Sequence, residues 1–214
     1  MKRIINLTLV FVLLISMSVP SFATSTETLE LDIESITGEV FDPQQMSKNE
    51  KKAYYESIDK QVELMEEKHG QDFDSKSFRE ELIFVLETED SFQQLVNENP
   101  GAITARAGTW IPDVKVKNDI AASAFNVAID VALAAAGVGT VAALVKKVGL
   151  KEARKIFTRT LASKLKAWGL SALAGSIPLA IDFILDYLNP GDRIAKFFDS
   201  KDSYPNNGYI DIIL

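Results

Sequence analysis

The residues that could do covalent chemistry are few, and their spacing argues against most reactions. The chain has no cysteine and one histidine, His69. A thiol nucleophile is therefore impossible, and a zinc site of the usual His/Cys type has too few ligands. A Ser–His–acid triad would have to use His69, which stands beside Gly70 where a helix end is expected. No G-x-S-x-G elbow is present, since neither Ser171 nor Ser176 has the pair of flanking glycines. "GVGTVA", Gly137 to Ala142, matches the G-x-G-x-x-A pattern of dinucleotide sites. The strand that must precede it is replaced by an Ala-rich helical stretch, so it reads as a helix break. Asp199, Asp202, Asn206, Asn207 and Asp211 gather near the C-terminus, but Gly208 is misplaced for a calcium loop and turn chemistry accounts for them. Paired acids such as Glu66–Glu67 and Glu80–Glu81 suit solvated helix faces. No catalytic residue, cofactor or metal is expected, and the chain reads as a non-enzyme.

What remains is chemistry of charge and surface. Lys146 to Gly169, "KKVGLKEARKIFTRTLASKLKAWG", holds eight basic residues and one acid, Glu152, in a chain of net charge -7. On a helical wheel Leu150, Ala153, Phe157, Leu161, Leu165 and Trp168 share one face. Lys151, Lys155, Arg159 and Lys166 lie on the flank and back, with Arg154 and Lys164 at the edges. Such a helix can lie in a membrane interface, cations toward anionic headgroups and Leu, Phe and Trp toward the acyl chains. Each cation near such a surface contributes on the order of 1 kcal/mol. The same pattern also suits a helix packed internally, its cations facing Asp130, Asp182 and Asp186 or water. Nucleic acid is not an expected partner, given the acidic total and the export expected below.

The elements that must position this segment divide by charge. Residues 24–100 carry 20 acids and 7 bases, a net of -13; residues 101–214 carry 14 bases and 10 acids, a net of +4. The start is signal-like: Lys2 and Arg3, an apolar run, then "VPSFATS", which predicts cleavage after Ala23 and an exported product. Residues 24–46 read as an acidic flexible arm. Residues 47–100 read as an acidic helical region, a possible pro-region, opened by a Ser47–Glu50 capping box and closed at Asn99-Pro100-Gly101. Within it one helix ends at His69-Gly70, a second begins near Asp74 or Ser75, and a third covers "EDSFQQLVNENPG".

Residues 101–118 read as a linker broken by Gly and Pro, and residues 119–214 as a hydrophobic, cationic helical domain. Its first helix is apolar except for a thin stripe of Asp119, Ser123, Asn126 and Asp130, spaced four, three and four. The uncharged runs Val131–Val145 and Gly169–Ile181, of 15 and 13 residues, are short of the roughly 20 a spanning helix needs. They could form a helical hairpin, buried at rest. Pro178 should kink its helix or mark its start, and the chain should close with a turn at Asn207-Gly208 and a strand. The expected class is all-α, with a short C-terminal β-turn and strand tail.

This layout, a signal and an acidic segment before a cationic, apolar, helix-forming module, resembles that of secreted antimicrobial or toxin precursors of Gram-positive bacteria. The resemblance implies that the acidic half shields the basic half until cleavage at a point such as Arg106. It further implies an anionic membrane surface as target and an immunity or envelope protein as a second partner. The rival expectation is a non-enzymatic secreted or cell-envelope helical protein with a structural or partner-binding role.

Overall fold

In the acidic half, α1 (Lys48–His69) starts where Ser47 Oγ accepts from the Glu50 backbone N–H, while Glu50 Oε2 accepts from Ser47 N at 2.9 Å. It stops at Gly70, whose φ of 79° is left-handed and whose N–H donates to Glu66 O. Tyr54, Ile58 and Met65 face inward from it. Asp74 accepts from Ser77 N at 2.9 Å and opens α2 (Ser75–Glu87), which buries Phe78, Leu82, Val85 and Leu86. The computed structural model describes residues 41–87 and 114–212, which fall within one compact unit, Leu31–Leu214. Cleavage at Ala23, most of the acidic arm, the third helix of the acidic half and Arg106 lie outside the described residues.

The first described element of the second half is a strand, where the sequence predicts only linker. β1 (Val114–Lys117) pairs antiparallel with β2 (Tyr209–Ile212), with Val116 opposite Ile210 and Lys115 opposite Asp211. The predicted C-terminal strand therefore finds its partner at the end of the Gly/Pro-rich stretch, where Val114 and Val116 alternate with lysines. β1 runs directly into α3 (Asn118–Ala135), the helix at the centre of the fold. Twelve of its 18 residues are buried, which a helix apolar almost all round requires.

The helices that follow pack on α3 and on one another. Gly137, at a φ of +68°, ends it, and Thr140 caps α4 (Val141–Val148). The basic segment is not one helix: Gly149, at a φ of +84°, separates α4 from α5 (Leu150–Ala167). A 3-10 turn, Ser171–Ser176, leads into α6 (Ile177–Asp186), so Pro178 stands in the first turn, where its missing N–H has no consequence. The two uncharged runs are thus each interrupted, one at Gly137 and one by the 3-10 turn. α7 (Gly191–Asp199) lies on α3, and Phe125 of α3 joins the layers, its ring 5.1 Å from Trp168 and 5.7 Å from Phe198. Each such buried aromatic or aliphatic side chain contributes roughly 1.5–3 kcal/mol relative to exposure. The described residues are mostly helical with one two-stranded sheet, in keeping with the expected all-α class.

Candidate functional site

The polar stripe of α3 meets a matching stripe on α1. The two helices run antiparallel, so Ser57, Gln61 and Lys68 climb as Asp130, Asn126 and Asp119 descend. Ser57 Oγ donates to Asp130 Oδ2 at 2.7 Å, Asn126 Nδ2 donates to Gln61 Oε1 at 3.0 Å, and Lys68 Nζ stands 2.7 Å from Asp119 Oδ1. His69 Nε2 lies 3.5 Å from the other Asp119 oxygen and its ring stacks on Phe73. The acidic half thus supplies a partner for Asp119, Asn126 and Asp130 of the apolar helix. Buried polar groups without such partners cost about 1–3 kcal/mol each.

Asn126 is also the anchor of α7. Its Oδ1 accepts the Gly191 backbone N–H at 2.9 Å. A Cβ at position 191 would stand 2.0 Å from the Ala122 carbonyl oxygen and 2.7 Å from Asn126 Oδ1, so only glycine allows this approach. Gln61 Nε2 is buried without a hydrogen-bond partner, the one imperfect point of the ladder.

A second joint forms at the C-terminal end of α2, where helix carbonyls have no partner of their own. Lys164 Nζ donates to Leu86 O at 3.1 Å and lies 3.8 Å over the Phe41 ring. Trp168 Nε1 donates to Val85 O at 3.0 Å. A cation at a helix C-terminus also meets the negative end of the helix dipole. Tyr54 closes the joint from α1: its hydroxyl donates to Glu87 Oε1 at 2.8 Å, and burial, then that bond, pushes its pKa up.

Apart from the exposed Leu150, the face expected to meet lipid is therefore interior in the folded chain. Phe157, Leu161 and Leu165 are fully buried, and Trp168 and Lys164 are each 1 % exposed. Lys164 does not reach water along the edge of the apolar face; its ammonium group donates to the α2 carbonyl of Leu86. The remaining cations lie on the outer side. Arg154 pairs with Asp182 at 2.7 Å and Lys155 with Glu152 at 3.9 Å, while Lys151, Arg159 and Lys166 are exposed. The structure brings these ten residues together on α5 and its end but divides them between core and surface. Asp130, a suggested partner for the α5 cations, is bonded by Ser57 instead.

The remaining sequence candidates are structural in their geometry. "GVGTVA" follows a helix, with Thr140 Oγ1 accepting from Ala143 N at 3.1 Å. Asp199 is buried and accepts from Asn118 Nδ2 at 2.6 Å and from the backbone N–H groups of Asn207 and Gly208, fastening the C-terminal turn. Asp211 pairs with Lys115 at 3.2 Å, and its N–H donates to Asp202. Burial, with Asp211 and Asp199 nearby, raises the Asp202 pKa. Among the described residues no group of three or more His, Asp or Glu is placed to hold a metal ion.

Ser57, Gln61 and Gly191 are among the site residues that sequence reasoning missed. Their signal was present for two of them: Ser57, Gln61 and Lys68, spaced four and seven, form a stripe on α1 that complements the one noticed on α3. No family model matches the chain, and no curated protein or solved structure is significantly similar to it.

Proposed function

We propose that the chain is an exported, non-enzymatic, membrane-active protein held in a closed form by its own acidic helices. The single observation that carries this reading is the ladder between α1 and α3. α3 is the one helix among the described residues long and apolar enough to cross a membrane, and 67 % of that stretch is buried. Its 18 residues span about 27 Å at the usual rise, close to a bilayer core of roughly 30 Å. The ladder supplies protein partners to Asp119, Asn126 and Asp130, so that in the closed chain these three bonds are made within the protein.

Cleavage near Arg106 would separate the acidic half from the rest. Asp119 and Asp130 would then lose Lys68 and Ser57, and the α2 carbonyls would leave Lys164 and Trp168. Released in this way, α5 could present Phe157, Leu161, Leu165 and Trp168 to the acyl region and Lys151, Arg154, Lys155, Arg159 and Lys166 to anionic headgroups. An immunity or envelope protein is the second partner this reading entails.

A second reading is favoured by the burial of the same α5 face: an exported or envelope-associated helical protein in which α5 is permanently internal. The two separate cleanly. The chain is made with a specific protease site in place of 101–107 and tested for dye release from phosphatidylglycerol vesicles, intact and after cutting. Release only after cutting is the expected result. No release from either form at low salt leaves α5 as an internal element.

A further inference from the structure

A cleft of about 570 Å³ opens between the segment leading into α1, one face of α3 and one face of α5. That volume lies in the range of small-molecule sites. Ala128, Val131, Ala132 and Ala135 form the α3 wall, and Ile156, Arg159 and Thr160 lie along the α5 wall. Both sets follow the three-and-four spacing of a single helix face. The cleft exists because α3 presents methyl-sized groups here, whereas nearer its start Phe125 fills the same interhelical space against Trp168. An apolar trough of this kind suits a flexible hydrocarbon chain.

Its charges decide which end group such a chain would carry. Asp42 accepts from Gln44 N and Gln45 Nε2, both at 2.8 Å, and these bonds, the backbone one first, hold its carboxyl below the usual range. Glu50 is committed to the Ser47 N–H at 2.9 Å. Lys164 is turned to the Leu86 carbonyl and the Phe41 ring. Arg159 is exposed at the cleft, and no acid among the described residues pairs with it. Its planar guanidinium is suited to grip a carboxylate or phosphate with two parallel bonds.

We propose that this cleft binds an anionic single-chain amphiphile, its acyl chain between α3 and α5 and its head on Arg159. The lining belongs to described residues of the closed chain, so the proposal stands or falls separately from any release of the acidic helices.

Titration calorimetry of the full chain with laurate, lysophosphatidylglycerol and uncharged monolaurin tests it. Saturable one-to-one binding of at least one anion is expected, about tenfold or more tighter than monolaurin, the usual worth of a charge-assisted hydrogen bond. Binding of laurate alone assigns the site to free fatty acids, and of lysophosphatidylglycerol alone to a phospholipid. Arg159→Gln should bring the anions to the monolaurin level while leaving the melting temperature unchanged, because the side chain is exposed. Ala132→Phe should block all three by filling the trough, and Ala135→Phe, at an exposed position, repeats the test if the first variant does not fold. Absence of saturable binding, equal affinity for monolaurin, or unchanged affinity in the Arg159 or the filling variants overturns the proposal.

Discussion

Two of the joints between the acidic half and the apolar half are made by means that differ in kind. In the ladder, side chain meets side chain along two antiparallel helices, and each contact depends on the partner's identity: Ser57 with Asp130, Gln61 with Asn126, Lys68 with Asp119. In the joint at the end of α2, long side chains from α5 meet backbone carbonyls, Lys164 on Leu86 and Trp168 on Val85. A carbonyl is offered by any residue, so this joint depends on reach and volume rather than on a matched sequence. The ladder fixes which helix faces α3; the α2 joint fixes how closely α5 packs beneath it.

The largest expected effect tests volume. Trp168→Ala removes a fully buried ring and should cost about 3–5 kcal/mol in denaturant unfolding of the full chain. Asn126→Leu tests matching. It keeps apolar volume but strips partners from Gln61 Oε1 and the Gly191 N–H, so a loss of about 2–4 kcal/mol is expected. Ser57→Ala, at the Asp130 end of the ladder, should cost about 1 kcal/mol.

Lys164→Met sharpens the contrast, because Leu86 O still receives the Phe41 N–H at 3.3 Å and methionine fills the space. Replacing a buried charge with an apolar side chain of similar size is often close to neutral, so a change within about 1 kcal/mol is expected. If Lys164→Met proves more costly than Asn126→Leu, the distinction between the joints is reversed. The smallest effect belongs to the exposed Arg154–Asp182 pair: Arg154→Ala should change stability by no more than about 0.5 kcal/mol, less at high salt.

The two joints were not equally legible in the sequence. The stripe Asp119, Ser123, Asn126 and Asp130 stands out because polar residues are rare in α3, and its spacing announces a helix face needing a polar neighbour. The complementary residues on α1 are hidden among many other polar residues, so Ser57 and Gln61 look like ordinary solvated positions. The capping box at Ser47, the stop at Gly70 and the helical start at Pro178 are local and could be read directly. The α2 joint had no local signal, since Val85 and Leu86 act through carbonyl groups common to every residue. The burial of Lys164 was hidden for the same reason: an amphipathic pattern shows which residues lie at the edge of a face, not whether an acceptor waits there. β1 was obscured by the Gly and Pro before it, and its pairing with β2 depends on residues nearly a hundred positions apart.

Asn126 lies 65 positions after Gln61 and 65 before Gly191, and its amide ties all three. As the chain is made from its N-terminus, α1 and α3 emerge well before the N–H that Asn126 Oδ1 accepts. Until Gly191 arrives, that oxygen can be satisfied only by water, and the first two layers meet around a hydrated gap. The last third of the chain therefore acts as a latch: the Asn126 side chain of the central helix completes its bonds only once Gly191 is in place.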